Sequence, residues 1–388
     1  MPPSTTPDVS LSEILDRLDD RSAPDCESRF LNHGDDILDV MIGLQQMIRN
    51  KRLFGCPPLP VGAWNGDAIA VGSGPSLMDH MDDLRRAQDK MLIVAAHSAV
   101  PKLLQHGVIP HMITPKERDP DIGIIPNKLP EKVVYAGLPC VPVAPDRCHT
   151  AYLVGCSDPI LRWLGFARDD IGTPQNSGTL AAYVASVVST GALYLVGYDM
   201  TIGHYDGFKF PEETTDGDIE CADGVRRPSC RIYRVAQAEL NAIADRKRVV
   251  QMNPKGGLVR GAKSQEPLLN IQPRNVWDAP AGIMSYVQSP VQYGQFESQV
   301  RKLPNLFRTA EYRLSRAHGS AAMTTKALFG DDHLLGTALF QSVYVGTSIL
   351  KRTMNLSDDE TAETLRVALG NPIKALGPIS ERMLSGLH

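Results

Sequence analysis

Two short polar stretches carry the chemistry legible in this chain: Gly72-Ser73-Gly74-Pro75-Ser76 and Asn176-Ser177-Gly178. The first follows the apolar run 68–71 and precedes Leu77, so it reads as strand, tight turn and helix start. Glycine at 72 and 74 opens backbone angles closed to other residues and lets main-chain N–H groups approach a ligand. Pro75 suits a first helical turn, and Ser76 can cap it or donate to an oxyanion. Unpaired N–H groups and a helix dipole converging at such a corner suit a phosphate. The dinucleotide fingerprint is absent, because Leu77 and Met78 stand where its third glycine would follow; the Gly-Lys-Ser/Thr of a Walker loop is absent too. In the second stretch Asn176 or Ser177 is the expected cap of an apolar helix, with the N–H groups of Ser177 and Gly178 presented at its start. Two helix starts facing one crevice form a nucleotide site, with phosphate at one end and base or ribose at the other.

These stretches need a scaffold, and the surrounding rhythm supplies one. Strands are expected over 68–72, 91–96, 111–114, 133–138, 152–155, 192–198 and 248–253. Helices are expected over 76–88, 98–106, 158–164, 177–190 and 230–245. Alternation of this kind predicts an α/β fold, a doubly wound, mostly parallel, Rossmann-like sheet. N-terminal helices within 9–54 and a C-terminal helical domain flank it. The expected domains are 1–60, a tail with helices; 61–265, the Rossmann-like nucleotide-binding domain; and 266–388, the helical domain. Ligands on such sheets sit at the carboxyl ends of the strands. That rule puts Gly72–Ser76, His97, Glu117, Arg118, Tyr198 and Asp199 along one rim. Residues 203–229 are expected to be irregular, a lid or binding loop.

Composition narrows the class. The 388 residues carry a net charge of −4, which gives no electrostatic footprint for general nucleic-acid binding. No apolar run reaches the roughly 18 residues of a spanning helix. The polar, proline-rich start from Met1 to Pro7 lacks signal-peptide regions. Seven cysteines without a Cys-x-x-Cys pair point to reduced thiols, and with them a cytoplasmic location. No metal site or cofactor is expected.

Taken in order, Gly-Ser-Gly-Pro-Ser-Leu, Asn-Ser-Gly-Thr before a helix, and Leu-Val-Gly-Tyr-Asp-Met at a strand end resemble the bacterial sialyltransferases of glycosyltransferase family 42. They also resemble the motility accessory factor (Maf) flagellin glycosyltransferases, and Gly107-Val108-Ile109-Pro110-His111 followed by Glu117-Arg118 is closer to Maf. The first motif is shared with the 6-hydroxymethylpterin diphosphokinase MptE-like domain. The resemblance covers about residues 66–256. It implies a CMP-activated nonulosonic acid as donor and a protein or glycan hydroxyl as acceptor. Gly72, Ser73, Gly74, Pro75 and Ser76 would hold phosphate and ribose. His97 and Ser98 would contact the nucleotide. Asn176, Ser177 and Gly178 would meet the cytosine edge, and Gly197, Tyr198 and Asp199 would line the pocket. Tyr205 would stabilise the departing phosphate, and Arg118 or Lys116 would pair with an anionic group of the donor.

One departure matters. The sialyltransferases carry a histidine base where this chain reads Pro228-Ser229-Cys230-Arg231. His204 is the expected substitute, with Asp206 and Glu117 behind it. The chemistry implied is metal-independent inverting transfer. Two alternatives compete: a magnesium-dependent pyrophosphokinase of the pterin type, and a non-catalytic nucleotide-binding module. Homo-oligomerisation is compatible with all three.

Overall fold

The computed structural model describes residues 47–53, 59–116, 133–139, 141, 151–153, 174, 176–202 and 217–264, with scattered positions between 298 and 312. The chain divides into two compact units. One comprises Gln46–Arg162 with Phe166–Gln292, and holds the sheet. The other comprises Met1–Gln45, Trp163–Gly165 and Tyr293–His388. In the second, Val300 is buried and Thr309 Oγ1 donates to Asn305 O at 2.8 Å. The expected helix 158–164 and most of the expected C-terminal helical domain lie outside the described residues.

The sheet is built from β1 (Ala68–Val71), β2 (Leu92–Ala96), β3 (Met112–Thr114), β4 (Val134–Gly137), β5 (Ala151–Leu153), β6 (Leu193–Val196), β9 (Val249–Gln251) and β10 (Lys263–Ser264). Its order is β10-β9-β6-β1-β2-β3-β4-β5, and every pairing is parallel. β1, β2 and β6 are buried along their whole length, as strands covered on both faces must be. Apolar runs such as Leu-Ile-Val-Ala-Ala satisfy that demand, which is why they were legible. The fold class expected from the alternation is the one observed.

Strand order reverses direction at β1. From there the chain moves outward through β2, β3, β4 and β5, then returns to lay β6 on the other side of β1. The gap between the carboxyl ends of β1 and β6 is therefore the topological switch point, where the crossovers diverge and leave a crevice. Helix α3 (Ser177–Val188) feeds β6 and covers the sheet. Its buried side chains include Ala181, Ala182 and Ala185, whose small size permits close approach to the strands. At its carboxyl end Lys247 Nζ donates to Ser186 O at 2.8 Å and Ser189 O at 2.5 Å, satisfying terminal carbonyls with a cation. Helix α4 (Arg231–Ala244) buries Ala236 and Leu240 and leads into β9.

Both connections after β1 and β2 begin more tightly than expected. Pro75–His80 is a 3₁₀ turn running into α1 (Met81–Ala87), and His97–Ala99 is a 3₁₀ turn running into α2 (Val100–Gln105). The region 203–229 requires a correction. It contains an antiparallel hairpin, β7 (Gly217–Glu220) with β8 (Arg226–Ser229). Its turn is fixed by Gly224 at φ +78°, and Arg227 donates to both oxygens of Asp223 at 2.7 and 2.6 Å. Only Ile219 within β7 is buried, so the apolar alternation that announces a strand is nearly absent.

The turns after β1 and β6 touch directly. Gly72 N donates to Val196 O at 2.8 Å and Gly74 N to Gly197 O at 3.0 Å. A Cβ on Gly72 would stand 2.5 Å from Gly197 O, and one on Gly197 would collide with Gly72 O. Gly197 also sits at φ +75°, where side chains other than glycine's are strained. Gly197→Ala is therefore expected to destabilise the domain by at least about 2 kcal/mol. Urea denaturation checks this; a loss under about 0.5 kcal/mol would show that the two turns separate without cost.

Candidate functional site

Asp199 is the centre of the rim. Its carboxylate reaches across the switch point, where Ser76 N donates to Oδ2 at 3.2 Å. Asn253 Nδ2 donates to Oδ1. The carboxyl is buried, and that burial raises its pKa; hydrogen bonds from Ser76 and Asn253 oppose the rise, and nearby Asp79 adds to it. Gly74 is glycine because a Cβ there would run into Asp199 Oδ2 and stand 2.7 Å from Gly197 O.

This changes the physical reason for the glycines. The sequence reading gave the bare Cα atoms at 72 and 74 to a ligand. In the structure they make room for the β6 turn and its aspartate. The N–H groups of Gly72, Gly74 and Ser76 are likewise engaged by Val196, Gly197 and Asp199. Ser76 does not cap its 3₁₀ turn; its buried hydroxyl makes no well-formed hydrogen bond. Ser73 and Pro75 are half-buried beside it.

The backbone around Asp199 is unusual on both sides. Gly197 is left-handed, and so is Met200 at φ 54°, which is uncommon for a residue with a side chain. Ser229 Oγ donates to Met200 O at 2.8 Å and fixes that conformation. A strained residue costs on the order of 1–3 kcal/mol and persists where its surroundings over-determine it. Here the pair of turns holds the Asp199 side chain against the β1 corner.

The start of α3 forms the second wall. Asn176 Oδ1 accepts from Thr179 N at 2.9 Å while Thr179 Oγ1 accepts from Asn176 N at 3.2 Å, a reciprocal capping arrangement. Asn176 is thus the cap that the sequence left open between Asn176 and Ser177. Ser177 and Gly178, in the first turn, have N–H groups without an intrahelical acceptor. Tyr198 ties this wall to the β6 turn: its hydroxyl donates to Gly178 O at 2.6 Å. Burial raises the phenol's pKa well beyond its usual range, so it stays neutral.

His97 closes the arrangement from β2. Its Nδ1 lies 2.9 Å from Ser177 Oγ, and its buried Nε2 has no hydrogen-bond partner. Burial lowers its pKa to about 4, with a smaller opposing pull from the Thr114 backbone, so the ring is neutral. Thr114 Oγ1 reaches Ala95 O at 3.2 Å and Ser177 O at 3.1 Å, joining β2, β3 and α3. Ser98 follows in the same 3₁₀ turn, half-buried.

The structure therefore brings Gly72–Ser76, His97, Ser98, Asn176, Ser177, Gly178, Gly197, Tyr198 and Asp199 to one rim. Glu117, Arg118, His204, Tyr205 and Asp206 lie outside the described residues. Two participants were missed: Asn253 and Thr114. Both stand at the carboxyl ends of strands, the rule already applied to their neighbours. Among the described residues no group of three or more His, Cys, Asp or Glu could hold a metal ion. None of the described helices is long and apolar enough to cross a membrane. A cavity of about 860 Å³ lies between α3 and α4, lined by Tyr183, Ile243, Lys247 and by Asp67 and Arg248 at the amino ends of strands.

Residues 48–141 match the family model described as 6-hydroxymethylpterin diphosphokinase MptE-like. That segment holds the β1 corner, His97 and Thr114. A solved structure of the MAf glycosyltransferase from Magnetospirillum magneticum AMB-1 matches with a TM-score of 0.62 and 17% identity, covering 92% of this chain. This chain is similar to Maf and MptE-like proteins. It spans 62% of the length of the Magnetospirillum structure, and at 17% identity the two share their fold. No curated protein matches the chain.

His97 and His111 are both buried, and burial lowers each pKa from 6.5 to about 4. Each favours the neutral form on folding. Their contribution is fully present above pH about 6.5 and lost as pH falls toward 4, on the order of 3 kcal/mol for each. NMR titration should find both rings unprotonated in the folded protein down to pH 5. A midpoint near 6.5 for either ring would contradict neutral burial.

Proposed function

We propose that the rim crevice binds a nucleotide-activated sugar and transfers the sugar to a hydroxyl acceptor, the donor being a CMP-activated nonulosonic acid. The observation that carries the reading is the convergence of the Gly72–Ser76 corner, the Tyr198–Asp199 turn and the α3 start at the switch point. Similarity in fold to a Maf glycosyltransferase supports the reaction class. The Ser177 and Gly178 N–H groups, which have no intrahelical acceptor, suit the acceptor edge of a pyrimidine, and in this reading the ribose and phosphate lie beside the β1 corner.

In this reading the acceptor oxygen attacks the anomeric carbon as its proton passes to a base. The new C–O bond forms while the bond to the CMP phosphate breaks, and CMP leaves with the electron pair. The configuration inverts. His204 is the proposed base and Tyr205 the proposed hydroxyl donor to the leaving phosphate. The low pKa of His97, about 4, supports looking elsewhere for the base, because so weakly basic a ring takes up a proton poorly near neutrality. Glu117 and Arg118 belong to the same proposed rim, on the donor side. The acceptor is a protein or glycan hydroxyl, and a cytoplasmic setting is supported by the free thiols of Cys221 and Cys230.

The family match over 48–141 favours one second reading, a magnesium-dependent pyrophosphokinase. It predicts ATP converted to AMP with magnesium, whereas the sugar-transfer reading predicts none. A thermal-shift comparison separates them first. CMP should stabilise the protein by roughly 2.7 kcal/mol at a hundred times its Kd, and AMP and GMP by much less at equal concentration. Equal shifts for every nucleotide would overturn the pyrimidine assignment. His204→Ala should leave CMP binding within about twofold and cut transfer at least about a hundredfold. Unchanged transfer would move the base to Glu117 or Asp206.

A further inference from the structure

We infer that Asn253 is a positioning residue of the nucleotide site: through Asp199 its amide fixes where the Gly72–Ser76 corner stands when a nucleoside monophosphate enters. The inference rests on the nucleotide reading proposed above. Nothing in the chain's local pattern marks Asn253 beyond its place after β9.

The geometry is a relay. Asn253 Nδ2 donates to Asp199 Oδ1, and Ser76 N donates to Oδ2 of the same carboxylate. One side chain therefore spans a donor from the β1 corner and a donor from the turn after β9. Asn253 is itself pinned, because its Oδ1 accepts from Lys255 N at 3.0 Å. The turn that carries it is built around Gln251, whose buried Nε2 donates to Asn253 O at 3.1 Å and Gly257 O at 2.9 Å. Gln251 Oε1 accepts from Val259 N at 3.1 Å. Gly257 N then donates to Asp199 O at 2.9 Å, so Asp199 is held at main chain and side chain by one turn.

A buried carboxylate beside an arriving phosphate is repelled unless donors hold it and spread its charge. Asn253 supplies such a donor on the oxygen that faces away from the corner. Without it the carboxylate is free to swing, and the Ser76 N–H that it orients goes with it. The charges around the pair are Asp79 on the 3₁₀ turn, Lys255 in the same turn, and Glu220 and Asp223 on the hairpin bonded to it. Tyr198 next to Asp199 stays neutral. Asn253→Asp keeps the shape but places a second carboxylate against the first. Ionised, the two repel; with one proton shared, the hydrogen bond returns.

The test uses the full chain and two readouts. Hydrogen exchange needs no ligand: in Asn253→Ala, amides of 72–77 should exchange at least about tenfold faster, with 92–96 unchanged. Unchanged exchange at 72–77 overturns the positioning role outright. CMP affinity is then measured by calorimetry for wild type and Asn253→Asp at pH 8 and pH 6. Asn253→Asp should bind about tenfold more weakly than wild type at pH 8 and within about threefold at pH 6. A folded variant that matches wild type at both pH values overturns the inference, since a merely structural asparagine would lower the melting temperature alone. If wild type binds no CMP, the nucleotide reading falls, and the exchange result still decides whether Asn253 positions the corner.

Discussion

The approach of two turns at the switch point is the constraint on which the rest of the rim depends. Gly72 and Gly197 bring the backbones after β1 and β6 within hydrogen-bonding distance, and neither position has room for a Cβ. The placement of Tyr198 and Asp199 follows from that contact. The left-handed Gly197 sends Tyr198 toward α3 and Asp199 toward the 3₁₀ turn. Larger residues at either glycine would push the turns apart and leave the Asp199 carboxylate buried without its Ser76 donor.

What that contact organises is a set of buried polar groups rather than an apolar pocket. Asp199, His97, Ser177, Thr114 and Asn253 are all buried, and each shares hydrogen bonds with another strand end or helix start, while buried Gln251 holds the turn that follows its own strand. Such networks rigidify when satisfied and are costly when broken. One exception is informative: His97 Nε2 is buried and has no hydrogen-bond partner. Unpaired polar atoms of this kind cost free energy in the isolated fold, which a ligand with matching groups would offset.

Much of this was legible in the sequence, for reasons that differ by element. The central strands announced themselves because burial on both faces demands uninterrupted apolar runs, as in 68–71 and 92–96. The carboxyl-end rule then put His97 and Asp199 on one rim, and the reading of two helix starts facing one crevice added Ser177, without any knowledge of their contacts. Their actual partners were hidden, since His97 and Ser177 are 80 residues apart and meet only through the fold. Gly74 shows how a glycine can be read for one reason and required for another: its missing Cβ clears Asp199, which no local pattern encodes. The β7–β8 hairpin escaped because its strands are short and largely exposed, held by backbone bonds to the 254–258 turn.

A crystal structure of the protein with CMP tests the central claim most directly. The account predicts nucleotide density at the carboxyl rim between β1 and β6, its base at Ser177 and Gly178 and its phosphate beside the Gly72–Ser76 corner. Density in the cavity between α3 and α4, with the rim empty, would contradict it.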